Sequence, residues 1–338
     1  MSPAGWRSRL TPFAKPPKLV DWLLLTVIVA ISVAAAFPLA WMVLTSFKTS
    51  AETMQTPPVW FPATPSLDAY AKVADVVQAG RSFVNSAIIA TTTTAGILLT
   101  SLLAGFAFAK YQFRGRELLF AAVIATMFLP PIVTLIPLYR LVGYLHIDGG
   151  LAGVIAPNLA NAFGIFLLRQ FIKGVPDDLI EAGRMDGASE LQIVFLIIAP
   201  SVTPAIAALA LFAFVYHWNS YLWPLTVLQG HTDQYPIVIS LSRLLSYNRG
   251  AMNTNLVMAG ATMAVLPPLV LFAFLQRFFV DSIVSAGIKG CLRRFALTSA
   301  GPIFAPRLRK LAARATPSRW AIGPRLRTLR PSSIVLRF

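Results

Sequence analysis

Val175 to Pro200 reads VPDDLIEAGRMDGASELQIVFLIIAP, and this stretch decides how the rest of the chain is read. Asp177, Asp178, Glu181, Arg184, Asp186 and Glu190 cannot sit in lipid, whereas the flanking sequence is almost wholly apolar. The segment has the parts of two short helices joined by a glycine. Pro176 suits the first helical position, where its fixed φ fits and its missing N–H would be unbonded anyway. Asp177 and Asp178 fall in the first turn, which favours negative charge. Leu179, Ala182 and Gly183 recur at i, i+3 and i+4, a narrow apolar face with little bulk. Gly187 breaks the run. Ser189, with Gln192 three residues on, forms a capping box that opens a second helix.

Working outward, the 338 residues are 56% hydrophobic and only 12% charged, with a mean hydropathy of +0.68. That balance belongs to a polytopic membrane protein rather than a soluble domain. The single cysteine, Cys291, excludes a disulfide framework and a thiolate metal cluster. His146, His217 and His231 lie on separate segments without ligand spacing. There is no glycine loop ending in Lys-Ser/Thr, so no P-loop for ATP, and no nucleophile–base pair stands out. The chain reads as a non-enzyme. Its formal charge is +16, of which +11 lies beyond Cys291 in ten Arg and one Lys without any acid. The remaining +5 is ordinary for basic inner loops, and nucleic acid is a poor inference from the total.

Apolar runs set out six spans, each long enough at ~1.5 Å per residue to cross a bilayer. Residues 1–20 carry four basic residues and no acid before Val20 and are expected to be a disordered cytoplasmic lead-in; a signal peptide is the competing view, but the next apolar run is too long. Span one is Trp22 to Phe47, and a polar, proline-rich external segment follows to Gly80. Span two is Phe83 to Ala109, ending at the basic turn of Lys110, Arg114 and Arg116. Span three, Leu118 to Leu141, holds Pro130, Pro131 and Pro137; these are expected to kink it within a packed bundle or to face a cavity. Span four is Leu151 to Phe171, with Asn158 and Asn161 one turn apart on one face. Span five, Leu191 to Tyr216, is expected to kink at Pro200 and Pro204 and leads into the interfacial aromatic cluster HWNSYLWP at His217 to Pro224. A second external segment, Gln229 to Asn255, includes an apolar piece at Ile237 to Leu245 that is expected to dip back toward the membrane. Span six is Leu256 to Phe279. Basic residues gather on the inner side, which places both termini in the cytoplasm. The expected architecture is an all-α polytopic membrane protein of six transmembrane helices with one polar inner loop.

E-A-G-x-x-D-G-A, Glu181 to Ala188, with Pro200 beyond, resembles the coupling loop of ABC-importer permeases, the element through which a membrane subunit meets its ATPase. Gly183 departs from the family's usual alanine, at roughly 1 kcal/mol of helix propensity. The wording RQF at Arg169 to Phe171, WNSYLWPL at Trp218 to Leu225, and QRFFV with GIKG at Gln276 to Gly290 is similar to the maltose-type carbohydrate permeases, above all the sugar and glycerol-3-phosphate importers. The resemblance covers roughly Pro17 to Gly290. It implies a homologous second permease, two copies of a cytoplasmic ABC ATPase that holds the ATP and Mg, and an extracytoplasmic solute-binding protein. No cofactor is expected on this chain. The resemblance also implies docking of the first short helix in the ATPase through Glu181, Ala182, Gly183, Asp186, Gly187 and Ala188. Asp186 is equally readable as a local cap of the Gly187 turn.

Polar side chains within spans are candidates for a solute path, because isolated amides are costly in lipid. These are Asn85, Thr92, Asn158, Asn161, Asn219 and Tyr221; interhelical hydrogen bonding is the alternative, favoured for threonine. The partner permease can hold the solute contacts instead. An importer for another solute class would share the coupling loop but not the WNSYLWPL wording. A gradient-driven carrier should carry a charged pair within a span, and none of the six has one in its middle. Domains are expected at 1–20 (lead-in), 21–290 (permease, with the coupling loop at 175–200) and 291–338. That last extension matches nothing in the family. It reads as disordered, as the product of an altered reading frame, or as a segment drawn to anionic membrane lipid.

Overall fold

The computed structural model describes residues 19–247 and 253–298; residues 1–18, 248–252 and 299–338 lie outside them, and with them most of the N-terminal lead-in and of the basic tail. The chain divides into two compact units, residues 1–280 and 281–338, and the helical bundle is the first of them. Among the described residues all regular structure is helical. In order the helices are α1 (Leu19–Ser46), α2 (Ser50–Thr53), α3 (Asp68–Val76), α4 (Ala79–Lys110), α5 (Arg116–Thr126), α6 (Pro131–Tyr144), α7 (Leu151–Ile155), α8 (Ala162–Lys173) and α9 (Asp177–Met185). Then come α10 (Glu190–Gln192), α11 (Ala199–Ser201), α12 (Thr203–Trp218), α13 (Leu222–Val227), α14 (Ile237–Tyr247) and α15 (Thr254–Thr298).

Four stretches are long and apolar enough to cross a membrane: Trp22–Ser46, Ala79–Lys110, Leu151–Lys173 and Thr254–Arg277. Two bent pairs bring the number to six if each is one span. Here the structure corrects the expected kinks. Span three is two helices, α5 and α6, that meet at 101°. Pro131 lacks the N–H that would continue the ladder and pushes Pro130 into extended backbone, φ −60° and ψ 132°. Pro137, by contrast, sits inside α6 without ending it. In span five Ile193–Ile198 is a π-helix, and the chain turns through 87° at Val202 rather than at either proline. Pro204 stands in the first turn of α12, where a missing N–H costs no bond.

α4 is the axis of the bundle. Its small residues let neighbours come close: a Cβ on Gly105 would stand 3.1 Å from the Arg169 backbone nitrogen, and Gly164 of α8 abuts Ser101. One part of the core joins Phe106 of α4, Leu168 and Ile172 of α8, Ile180 of α9, Ile193 and Ile198 of the π-helix and Leu209 of α12. A second part joins α3, α4, α12, α14 and α15 around Val73, Trp218, Ile237 and Leu244. Trp218 is buried and donates its indole N–H to the Ala264 carbonyl at 2.9 Å.

α14, the apolar piece expected to dip toward the membrane, buries Ile237, Ile239 and Leu244 against the protein. Ser82 and Ser240 hydroxyls meet at 2.8 Å, and Ser86 accepts from the Ile237 N–H at 2.8 Å. α1 behaves differently. Its apolar side chains from Leu19 to Leu39 are largely exposed, and its last turns are tied in by Phe37 and Trp41 against Trp60 and by Ser46 to Tyr70 at 2.6 Å.

Candidate functional site

The coupling segment is a hairpin, with α9 leading down and α10 with the π-helix leading back. Pro176 is the N-cap of α9 (φ −59°, ψ 139°), one position earlier than predicted. Asp177 and Asp178 occupy the first turn as expected. The C-terminus closes by backbone alone: Gly187 N–H donates to the Arg184 carbonyl at 3.1 Å and Ala188 N–H to the Gly183 carbonyl at 3.0 Å. This is a Schellman closure, which requires the left-handed φ of +81° that Gly187 supplies. The Asp186 side chain takes no part in it and points to solvent, so the local-cap reading falls. The predicted capping box is present, Gln192 N–H to Ser189 Oγ at 3.3 Å and Ser189 N–H to Gln192 Oε1 at 2.8 Å.

The apolar face of α9 differs from the expected one. Ile180 and Gly183 are buried, and a Cβ on Gly183 would lie 2.7 Å from Ile197 Cδ1. Leu179 is 47% exposed. Both 179/182/183 and 180/183 satisfy helical spacing; packing against Ile193 and Ile197 selects the second. The outward face therefore carries Leu179, Glu181, Ala182 and Met185, the last 88% exposed, with Asp178 and Asp186 beside it. Among the described residues the carboxylates of Asp178, Glu181 and Asp186 make no hydrogen bond or ion pair. Met185 was not singled out from sequence, although plotting Asp178, Glu181 and Met185 on a 3.6-residue helix finds it.

The hairpin's other charges are engaged. Lys110, at the end of α4, donates to the Val175 carbonyl at 2.6 Å and to Asp177 Oδ1 at 2.7 Å. Arg184 forks onto Glu190 at 2.8 and 3.3 Å, and Tyr111 donates to the same carboxylate at 2.6 Å. The Glu190 hydrogen bond pushes Arg184 above its ordinary value; burial first, then Glu190, raises the Tyr111 phenol. Arg169 is 4% exposed and donates to Phe108 O at 3.1 Å and to both Glu117 oxygens at 3.0 and 3.1 Å, with its guanidinium 3.7 Å from the Phe120 ring centre. Ion pairs thus link α4 to the coupling hairpin and α5 to α8, and the hydrogen bond from Arg169 to the Phe108 carbonyl joins α8 to α4.

The solute-path candidates separate. Asn158, Asn219 and Tyr221 line one cavity of about 470 Å³ between α6, α12 and α13. Asn161 lines a second, of about 350 Å³, with Phe163, Phe212 and His217; Tyr216 borders both. Asn158 and Asn161 do not share a helical face, contrary to expectation. Asn158 ends a 3₁₀ turn, whereas Asn161 caps α8 by accepting from Gly164 N–H at 3.0 Å. Asn85 is a clasp: 8% exposed, it donates to the carbonyls of Asp233 and Tyr235 at 3.1 and 3.3 Å, fastening the segment before α14 to α4. Thr92 lies on the exposed flank of α4 and borders neither cavity.

The structure is thus an all-α bundle of membrane-length helices that carries one braced, acidic hairpin. Residues 96–285 match the family described as "Binding-protein-dependent transport system inner membrane component", and the chain belongs to that family. Over 282 residues it is 33% identical to the arabinooligosaccharides transport system permease protein AraQ of Halalkalibacterium halodurans, covering 82% of this chain and 99% of that protein. It is 40% identical over 212 residues to the osmoprotective compounds uptake permease protein GgtD of a Synechocystis species (62% and 70% covered). It is 34% identical over 206 residues to the sn-glycerol-3-phosphate transport system permease protein UgpE of Shigella flexneri (61% and 73%). The fold matches a chain of a bacterial ABC transporter involved in the import of alginate, TM-score 0.66 at 23% identity, over 80% of this chain and 100% of that one. The chain is an inner-membrane transport component, and the family works with a solute-binding protein.

Proposed function

We propose that this chain is the permease subunit of an ATP-driven importer that moves a carbohydrate-type solute, a sugar or a glycerol-3-phosphate-like molecule, across the cytoplasmic membrane. One observation carries the coupling part of this reading. α9 sets exposed Leu179 and Met185 among three carboxylates that have no partner among the described residues, on a hairpin held rigidly by Lys110 and Tyr111. Apolar anchors with a charged rim are what a protein interface presents. Burying Met185 contributes about 1.5–3 kcal/mol and covering the exposed part of Leu179 roughly half of that, and Glu181 and Asp186 meet basic groups of the partner.

The partner is a cytoplasmic ABC ATPase in two copies, which holds ATP and Mg; Glu181, Ala182, Gly183, Asp186, Gly187 and Ala188 form or shape the contact. A homologous second permease completes the path, and an extracytoplasmic protein delivers the solute. Sugar-transport and glycerol-phosphate relatives support the solute class. The basic residues gathered in one set of loops support placing both termini in the cytoplasm. Residues 1–20 are a lead-in, 21–290 the permease domain and 291–338 an appended basic extension. No enzymatic step falls to this chain.

The test is purification of the assembly with Met185→Asp and with Glu181→Ala. Met185→Asp should release the ATP hydrolase from the membrane subunits, and Glu181→Ala should lower ATP-driven uptake at least tenfold with membrane insertion intact. Full transport by both variants would sink the reading.

A further inference from the structure

We infer that the cavity bounded by α6, α12 and α13 is a subsite for an uncharged, hydroxyl-rich solute and does not hold a phosphorylated or carboxylated one. This rests on the importer reading and narrows it, because the relatives divide between oligosaccharide and glycerol-3-phosphate permeases.

The cavity is lined by Asn158, Asn219, Tyr221 and Trp223, by the hydroxyl residues Thr134 and Ser220 and by otherwise apolar or aromatic side chains, and no charged residue reaches it among the described ones. Its volume of about 470 Å³ lies within the span of ordinary small-ligand sites, roughly 300–1,000 Å³. The two amides are held in place. Asn158 Nδ2 donates to the Val154 carbonyl at 2.9 Å, and Trp223 Nε1 donates to that same oxygen at 3.1 Å, which joins α7 to α13 and orients both side chains. Asn219 Nδ2 donates to the Val215 carbonyl at 3.0 Å. Each amide thereby retains its oxygen as an acceptor and one N–H as a donor. Tyr221 Oη lies 3.5 Å from Ser242 Oγ, whose single proton goes to the Ile239 carbonyl at 2.7 Å, so the phenol is held only by this long contact and can turn toward a ligand.

Paired donors and acceptors match hydroxyl groups, which do both. A phosphate or carboxylate only accepts: it would use the N–H groups, face two amide oxygens and find no cation to offset its lost hydration. Trp223 and Tyr216 supply apolar surface for the C–H face of a sugar ring.

The experiment uses the complete importer with its binding protein in liposomes loaded with ATP. Labelled lactose, arabinotriose, maltotriose and glucosylglycerol are compared with sn-glycerol 3-phosphate and trigalacturonate. A neutral probe should enter. The double variant Asn158→Leu with Asn219→Leu should lower its maximal rate about tenfold, with the yield of assembled complex reporting folding. If that variant does not assemble, Asn219→Leu alone, at an exposed position, should lower the rate about threefold. Uptake of a charged probe, no uptake of any neutral one, or an unchanged rate in the assembled variant overturns the inference. An assembly that lacks ATP hydrolase activity removes the importer reading itself.

Discussion

Lys110 Nζ stands 2.7 Å from Asp177 Oδ1, joining the last residue of α4 to the first residue of α9 across the inner face of the bundle. The two partners are unequal: the Lys110 side chain is 8% exposed and that of Asp177 74%. An exposed ion pair contributes under about 1 kcal/mol. The same ammonium also binds the Val175 carbonyl at 2.6 Å, and a buried charge-assisted hydrogen bond is worth about 1.5–3 kcal/mol. The backbone contact is therefore the stronger tether. Lys110→Met should free the hairpin and lower the uptake obtained per ATP hydrolysed at least fivefold, whereas Asp177→Asn should change it less than twofold. Parallel ATPase and uptake assays check the order, and equal effects would refute it.

Arg169 and Glu117 form a second unequal pair, with side-chain exposures of 4% and 65%. Removing the carboxylate strands a buried guanidinium, which costs about 3–5 kcal/mol when nothing replaces the partner. Phe108 O and the Phe120 ring remain, so Glu117→Ala should cost about 2 kcal/mol. Arg169→Met removes the buried charge and leaves Glu117 hydrated beside Arg116, 2.8 Å away, but it also takes a donor from the Phe108 carbonyl, so it should cost about 1 kcal/mol. Thermal unfolding of the detergent-purified assembly should rank Glu117→Ala below Arg169→Met.

Gly183→Ala restores helix propensity of about 1 kcal/mol, and its new methyl crowds the movable tip of Ile197 while meeting Ile193 at ordinary contact distance. It should leave uptake and thermal midpoint within a few degrees of the parent. Gly183→Val places a branched side chain against Ile193 and Ile197 and should lower the midpoint clearly, by overpacking worth about 1–3 kcal/mol. If alanine proved as harmful as valine, the packing account of this position would be wrong.

Gly187→Ala meets no steric neighbour, yet at a φ of +81° it carries about 1–2 kcal/mol of backbone strain. The loss should appear as weakened ATPase association, scored by co-purification, rather than as failed insertion. Gly187→Asn, better tolerated in the left-handed region, should recover part of it.

Much of this organisation was legible in the sequence. Charge placed 175–200 outside lipid, Ser189 and Gln192 announced the second helix start, and hydropathy marked six apolar stretches. Three things were not legible, each because a tertiary contact decides between equivalent local readings. Leu179 and Ile180 both fit an apolar stripe, and Ile193 selects Ile180. Pro130-Pro131 and Pro200 look alike on paper, yet only the first breaks a helix at the proline itself. Asn85, Asn158 and Asn219 are all amides in apolar runs. The carbonyls of Asp233 and Tyr235, about 150 residues away, make the first a clasp and leave the other two at a cavity.

The near-square elbow at Val202 has a mechanical corollary. Ile180 is wedged against Ile193, so the hairpin and the arm from Glu190 to Ser201 shift as one body. Under the importer reading proposed above, a thrust along that arm would meet α12 broadside, across the axis of the helix that carries Tyr216 and leads to Asn219, and would change the bore of the cavity those residues line rather than slide the helix lengthwise.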